Sequence, residues 1–318
     1  MLKKSLTVVL SSIALMLGAS ASAQTTLSEF TDIVVSNAFE VTLVKGAYGI
    51  NLTVDSNIEP YVQAYVKGQT LEISLDEKAI PKEVKKLYKG KNAPQMVLRA
   101  VVYVPEVIRS ITLSDEATLM GTDEFSTDGF VLSLDGKAQV KSLNIFASSA
   151  AIDLKKNANA IMVIKASGDI AAQVADNAVL QLTSECKNMK ITGNGSAQVT
   201  SNGGCSNFTA IGDGKSSIMA NTNTEVVYLD MTGNSKISLT GSANSMSLKG
   251  AKSSTIEAVN MVVATVDAVI NSATATVTAT EKIGVDLVGG ATLYFSGTPQ
   301  FAINGKISKS TLAPVGSK

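Results

Sequence analysis

"ITGNGSAQVTSNGGCSNFTAIGDGKSSI", residues 191–218, states one pattern twice. The run from Ile191 to Val199 is answered by the run from Ile211 to Ile218, each a glycine turn between short apolar stretches. A small residue followed two positions later by an apolar one marks the pattern. It falls at Ala197/Val199, Ser216/Ile218, Ser235/Ile237 and Ser254/Ile256, then at Ala273/Ala275 and Ala291/Leu293, at steps of 19 with a last step of 18. Upstream, Ala178/Leu180 keeps the period. Ala160/Met162, Ala138/Val140 and Ala117/Leu119 follow at steps of 18, 22 and 21. Over 140–190 the pattern is less clean, and "FASSAAIDLKK" and "IKASGDIAAQV" suggest an offset register.

Other columns share the period. Gly195, Gly214 and Gly233 align, as do Gly193, Gly212 and Gly250. Met189, Phe208, Val227 and Met246 form one apolar column, and Ile191, Ala210, Leu229 and Leu248 another. Between turns, runs such as "KISLT" and "MSLKG" alternate, which is the signal of strands. Glycine, asparagine and aspartate at the turns suit positive φ.

A single unit this short cannot bury its apolar side alone, but stacked copies bury a continuous interior. Strands of successive copies then lie about 4.8 Å apart. About nine steps from Ala117 to Ala291 would give a body roughly 45 Å long at that spacing. The period predicts an all-β fold, a parallel β-helix (β-solenoid) with 19-residue rungs. A meandering sandwich does not keep a fixed period.

Composition agrees. The 318 residues are 45% hydrophobic but only 5% aromatic, with 24 glycines, 6 prolines and no histidine or tryptophan. Such an interior is slim and aliphatic. The 27 basic and 27 acidic residues balance, so no strong field invites nucleic acid.

Residues 1–23 read as a signal peptide: Lys3 and Lys4, an apolar stretch from Leu6 to Leu17, and the cleavage pattern Ala21-Ser22-Ala23. The chain is expected to be exported, to the periplasm, the outer-membrane surface or the medium. The mature part would begin at Gln24 and carry 25 basic against 27 acidic residues, a net charge of −2. No later segment is apolar enough to span a bilayer as a helix.

Residues 24–110 are expected to begin the same domain with longer, glycine-poor strands that cover the first end of the stack, because terminal units of a solenoid face water. Repeats fill 111–297, and 298–318 supply a C-terminal cap and tail. Within the first part, "KAIPKEVKKLYKGK" sets Lys78, Lys82, Lys85, Lys86, Lys89 and Lys91 around Ile80, Val84 and Leu87 at helical spacing. It reads as a short amphipathic helix or loop. Its lysines form either an ordinary solvated face or a patch for acidic glycans or lipid phosphates.

Cys186 and Cys205 are separated by one full repeat. Equivalent atoms on adjacent rungs fall within disulfide reach, and an exported compartment permits the bond. The alternative is a stacked pair of reduced, small apolar residues. Two cysteines without histidine give no zinc site.

The absence of histidine removes the usual general base. "GDGKS" at 212–216 lacks the glycine spacing and following helix of a phosphate loop. Asp115, Glu116, Asp135, Lys137, Asp213 and Lys215 share one turn position. Stacked carboxylates there would offer calcium ligation or acid–base chemistry. Intervening rungs carry Gly195-Ser196 and Gly233-Asn234, which favours polar decoration of turns. Threonines of "NSATATVTATE" run along one strand rather than across rungs, as the β-propensity of threonine alone would place them.

With its lead-in strands, the "YVPEVIRSITLSDEATL" junction, the repeated glycine–small–apolar turns and the closing "GGATLYFSGTP", the chain resembles the GIN-domain family of auto-transporter adhesin head domains over residues 28–312. The resemblance implies a right-handed β-helix with no transferable catalytic residue and no cofactor. The self-exporting membrane barrel of an autotransporter is not expected after "STLAPVGSK", so the adhesin label carries over as an analogy. The expectation is a non-enzymatic envelope or surface scaffold that binds a polysaccharide or an envelope protein. The competing class is a polysaccharide lyase or hydrolase on the same fold, which needs several acids and a base on neighbouring rungs.

Overall fold

The computed structural model describes residues 24–317; the leader expected over 1–23 lies outside the described residues. Those residues wind into a parallel β-solenoid of about 11 turns. All 22 strands join one sheet that wraps around a single core.

The ladder columns are those of the 19-residue period. Leu180, Val199, Ile218, Ile237, Ile256, Ala275 and Leu293 pair in strict succession on neighbouring parallel strands, and all are buried. A second column runs Met189, Phe208, Val227, Met246, Val266 and Ile283, and a third Ile191, Ala210, Leu229, Leu248, Ala268 and Val285. Burying each large aliphatic side chain contributes about 1.5–3 kcal/mol. These three columns are aliphatic except at Phe208.

The tight corner beside the first column explains its small residues. Asp115, Gly136, Lys156, Asp176, Gly195, Gly214, Gly233 and Lys252 all adopt left-handed backbone with φ of 59–78°. Each turn hands a hydrogen bond to the one before it: Ser196 N donates to Asp176 O at 2.6 Å, Lys215 N to Gly195 O at 2.6 Å, and Asn234 N to Gly214 O at 2.7 Å. Two residues further along, Ala178, Ala197, Ser216, Ser235 and Ser254 turn inward with almost no exposure. A larger side chain there would enter a crowded corner.

One register differs from the sequence reading. Val140 pairs with Ala160 and Ala160 with Leu180, so the repeat marker in this region is Ala158/Ala160 rather than Ala160/Met162. The two steps are thereby equal in length. The corner positions here are Lys156 and Asp176, which accept positive φ without glycine and so hide the turn.

The N-terminal part also differs. Its strands are short, 4 to 7 residues for most, and they are not laid down in chain order. Asp32–Val35 lies between Thr70–Leu75 and Ser110–Leu113, parallel to both. Glu40–Lys45 lies between Leu98–Val104 and Thr118–Leu134 in the same way. The coil formed by residues 70–104 is therefore outermost, and residues 32–45 form the next one in. Antiparallel strands Gly49–Val54 and Val62–Lys67 close the outer edge of that terminal coil. Ile58 and Ile80 are buried at this end, with Tyr61, Val84, Tyr88 and Met96 packed on the core.

Candidate functional site: a groove beneath the lysine-rich excursion

Residues 76–97 leave the terminal coil after Thr70–Leu75 and return at Leu98–Val104. Asp76 starts the excursion by accepting a hydrogen bond from Ala79 N on its Oδ1 at 3.2 Å. Pro81 precedes the helix Lys82–Leu87, where it gives up no helical hydrogen bond. Ile80 pins the base, Val84 is half-buried and Leu87 is exposed, so only part of the apolar stripe meets the core. The return is fastened by Asp55, whose Oδ2 accepts from Val97 N at 3.0 Å.

Between the excursion and the body lies a groove of about 740 Å³. Leu75, Ile80, Tyr88, Met96 and Leu98 give it apolar walls. Lys85, Lys89 and Arg99 bring positive charge, and Glu40, Glu77 and Glu116 negative charge. A second hollow of about 280 Å³ shares Ala38, Glu40, Gln95 and Glu116 with it and continues to Thr118, Lys137 and Gln139 on later coils. The two together form an elongated cleft with charged and amide groups along its length.

Asn37 organises the junction. It sits in left-handed backbone with φ of 61°. Its Oδ1 accepts from Leu75 N at 2.8 Å, its Nδ2 donates to Glu77 Oε1 at 3.1 Å, and its own N–H donates to Asp115 Oδ2 at 3.0 Å. One residue thus ties three coils at the mouth of the cleft. Exposed ion pairs flank it: Arg99 with Glu40 at 3.0 Å and Lys137 with Glu116 at 2.7 Å. Such pairs contribute little to stability and leave their charges available to a ligand. Burial, followed by the nearby charge of Asp55, pushes the Tyr88 hydroxyl above its ordinary range.

Of the six lysines read from the sequence, Lys85 and Lys89 line the cleft; Lys78, Lys82, Lys86 and Lys91 stand exposed on the excursion. The sequence reading missed Asn37, Glu40, Glu77, Gln95 and Arg99. Asn37 and Glu40 come from one coil and Glu77, Gln95 and Arg99 from the terminal one, and no local spacing connects the two sets.

The turn carboxylates are engaged individually. Glu116 pairs with Lys137, Asp135 with Lys156, and Asp213 Oδ1 accepts from Gly214 N at 2.7 Å. Among the described residues, no group of three histidine, cysteine, aspartate or glutamate side chains stands ready to hold a metal ion. Cys186 and Cys205 pair directly across adjacent parallel strands, as the one-repeat spacing requires. Both are half-buried free thiols. The Cys205 sulfur is held toward its thiolate form, chiefly by a hydrogen bond from the Cys186 thiol, while the Cys186 thiol is held protonated.

The family model described as "Putative auto-transporter adhesin, head GIN domain" matches residues 29–203 and 189–299. The chain belongs to the GIN-domain family. Similar solved structures include a "putative adhesin" from Parabacteroides distasonis ATCC 8503, at 16% identity over 93% of this chain and 96% of that one, with a TM-score of 0.36. A "putative lipid binding protein" from the same strain shares 14% identity over 93% and 94% of the two chains, with a TM-score of 0.29. A "putative adhesin" from Parabacteroides merdae ATCC 43184 shares 15% identity over 92% and 95%, with a TM-score of 0.31. Likenesses this distant leave the fold to rest on the chain's own geometry. Among curated proteins nothing matches at a significant level. No helix among the described residues is long and apolar enough to cross a membrane.

Proposed function

We propose that this GIN-domain protein is an exported, non-enzymatic, adhesin-like scaffold of the cell envelope, and that its cleft beneath residues 76–97 binds a linear glycan. The observation that carries the reading is the elongated shape of the cleft. Two hollows that share Glu40, Gln95 and Glu116 suit a chain-like ligand laid along several coils. Hydroxyls and charged substituents of a sugar chain would meet carboxylates, amides and lysines, while Tyr88 and Met96 receive its apolar ring faces. Family membership supports the adhesin-like role, and the leader read at residues 1–23 supports export.

Residues 24–318 would be screened against a panel of bacterial envelope polysaccharides. Binding is expected for at least one, and Tyr88→Ala with Lys89→Glu should weaken it about tenfold or more, the effect of losing central contacts. Absence of binding to every glycan, or capture of unglycosylated peptide instead, would overturn the glycan reading. Release of shortened sugar products would overturn the non-enzymatic one.

A further inference from the structure

The two ends of the solenoid are finished differently. At the N-terminal end, antiparallel strands and the excursion cover the columns, and Leu71, Ile73, Leu98, Ala100 and Val102 are all buried. At the other end the columns simply continue. Phe301 stands on Ile283, Ile303 on Val285 and Ile307 on Leu287, in parallel register. Their predecessors are fully buried, yet Phe301 is 44% exposed, Ile303 67% and Ile307 41%. Phe295 packs edge-on against Phe301, with ring centroids 4.8 Å apart, and enlarges the apolar surface. The strands Gln300–Ile307 and Thr311–Pro314 each pair on one side only.

We propose that this end is an interface at which a second copy of the chain docks, C-terminal end to C-terminal end, about a two-fold axis. Three observations select that occupant. The surface is the cross-section of the protein's own core, so another rung of the same kind has the matching width and column spacing. Among the described residues, only this end leaves core columns open, so a head-to-tail stack would set it against the finished N-terminal end. The free edge is also interrupted: its register slips between Ile303 and Ile307, and Pro314 ends the last strand. Lys306 lies within the break and Lys309 just beyond it. Breaks, lysines and proline are how sheet edges resist unlimited pairing. They leave Gln300–Ile303 as a short segment able to pair with its own symmetry mate, which closes the assembly at two copies.

The apolar area is small for an interface, so the dimer should be reversible, with a dissociation constant in the micromolar range. Its geometry would set the two clefts at opposite poles of a double-length rod, each free to engage a ligand.

Sedimentation of residues 24–318 under reducing conditions, across micromolar concentrations, tests the proposal. Wild type should show a monomer–dimer equilibrium. Ile303→Lys should weaken association about 30-fold or more, the loss expected of a central anchor. Its thermal midpoint should hold, because Ile303 is largely exposed already. Met219→Lys, at a 53% exposed position on a lateral face, should leave association unchanged. A wild type that stays monomeric throughout, equal effects of the two substitutions, or open-ended polymers would each overturn the proposal.

Discussion

Replacing Gly203 by alanine isolates the contact that sets the spacing between coils. Gly203 has a φ of 135°, outside the range a side chain adopts without strain. A Cβ built there would overlap Ser184 O and lie 2.8 Å from Ser184 C. Both are backbone atoms of the preceding coil, so no side-chain rotation relieves the clash. The backbone strain costs about 1–3 kcal/mol. Shifting Gly203 away from Ser184 also distorts nearby bonds, stretching Cys186 N to Gly204 O at 3.3 Å on the preceding coil and crowding Gly203 N to Asn221 O at 3.0 Å on the following one, each contributing about 1 kcal/mol. Together they give a destabilisation of about 4 kcal/mol, a large part of the roughly 5–15 kcal/mol of a typical domain. Gly68 supplies the control. Its φ is 64°, and nothing lies within 4 Å of the place its methyl group would take. Gly68→Ala should cost about 1 kcal/mol, the left-handed penalty alone. Urea unfolding followed by far-ultraviolet circular dichroism measures both. Equal losses within about 0.5 kcal/mol would refute close coil contact as the cause, since additive errors are of that size.

Three further outcomes follow from single sites. Ser216 Oγ is buried without a hydrogen-bond partner, whereas Ser235 Oγ donates to Gly212 O at 3.2 Å; Ser216→Ala should raise stability by about 1 kcal/mol and Ser235→Ala lower it by a similar amount, read as shifts in urea midpoint. Burial works to raise the Asp32 pKa, but hydrogen bonds from Arg109 and Ser110 outweigh it and leave the carboxyl below its ordinary 3.8. The stabilisation is therefore present above that value and lost as pH falls through the lower folded value, so Asp32→Asn should lose stability at pH 7 and show a flatter acid limb in pH-dependent melting. A disulfide oxidant such as oxidised glutathione should convert the adjacent Cys186 and Cys205 into a bridge, seen as loss of two hydrogens in the intact mass; closing a loop of one repeat should add about 3 kcal/mol, and Cys186→Ser should abolish both effects.

The repeat was legible because its markers are local. Small residues at the corner, apolar residues two places on, and glycine at positive φ recur once in every coil. The reading slipped where Lys156 and Asp176 take the left-handed position that glycine fills elsewhere, because tolerance of that backbone leaves no mark in composition. The first hundred residues were harder for another reason. Pairing of Asp32–Val35 with both Thr70–Leu75 and Ser110–Leu113 is decided by contacts tens of residues apart. Alternation identifies each strand but not its neighbour. The cleft was half legible: the lysines form a run, while Asn37, Glu40 and Arg99 meet only when that threading is complete. The adjacency of Cys186 and Cys205 on neighbouring strands, by contrast, followed directly from the period.

The inserted position of residues 32–45 has a consequence for how the molecule is made. Synthesised before all four of its strand partners, this segment ends up as a filling between layers made after it. Assembly cannot simply wind forward from the leading end; the earliest stretch must wait, unpaired on both flanks, until residues 70–134 arrive to clasp it. Removing residues 32–45 would then hollow out an internal floor, whereas removing residues 300–314 would merely lower the roof.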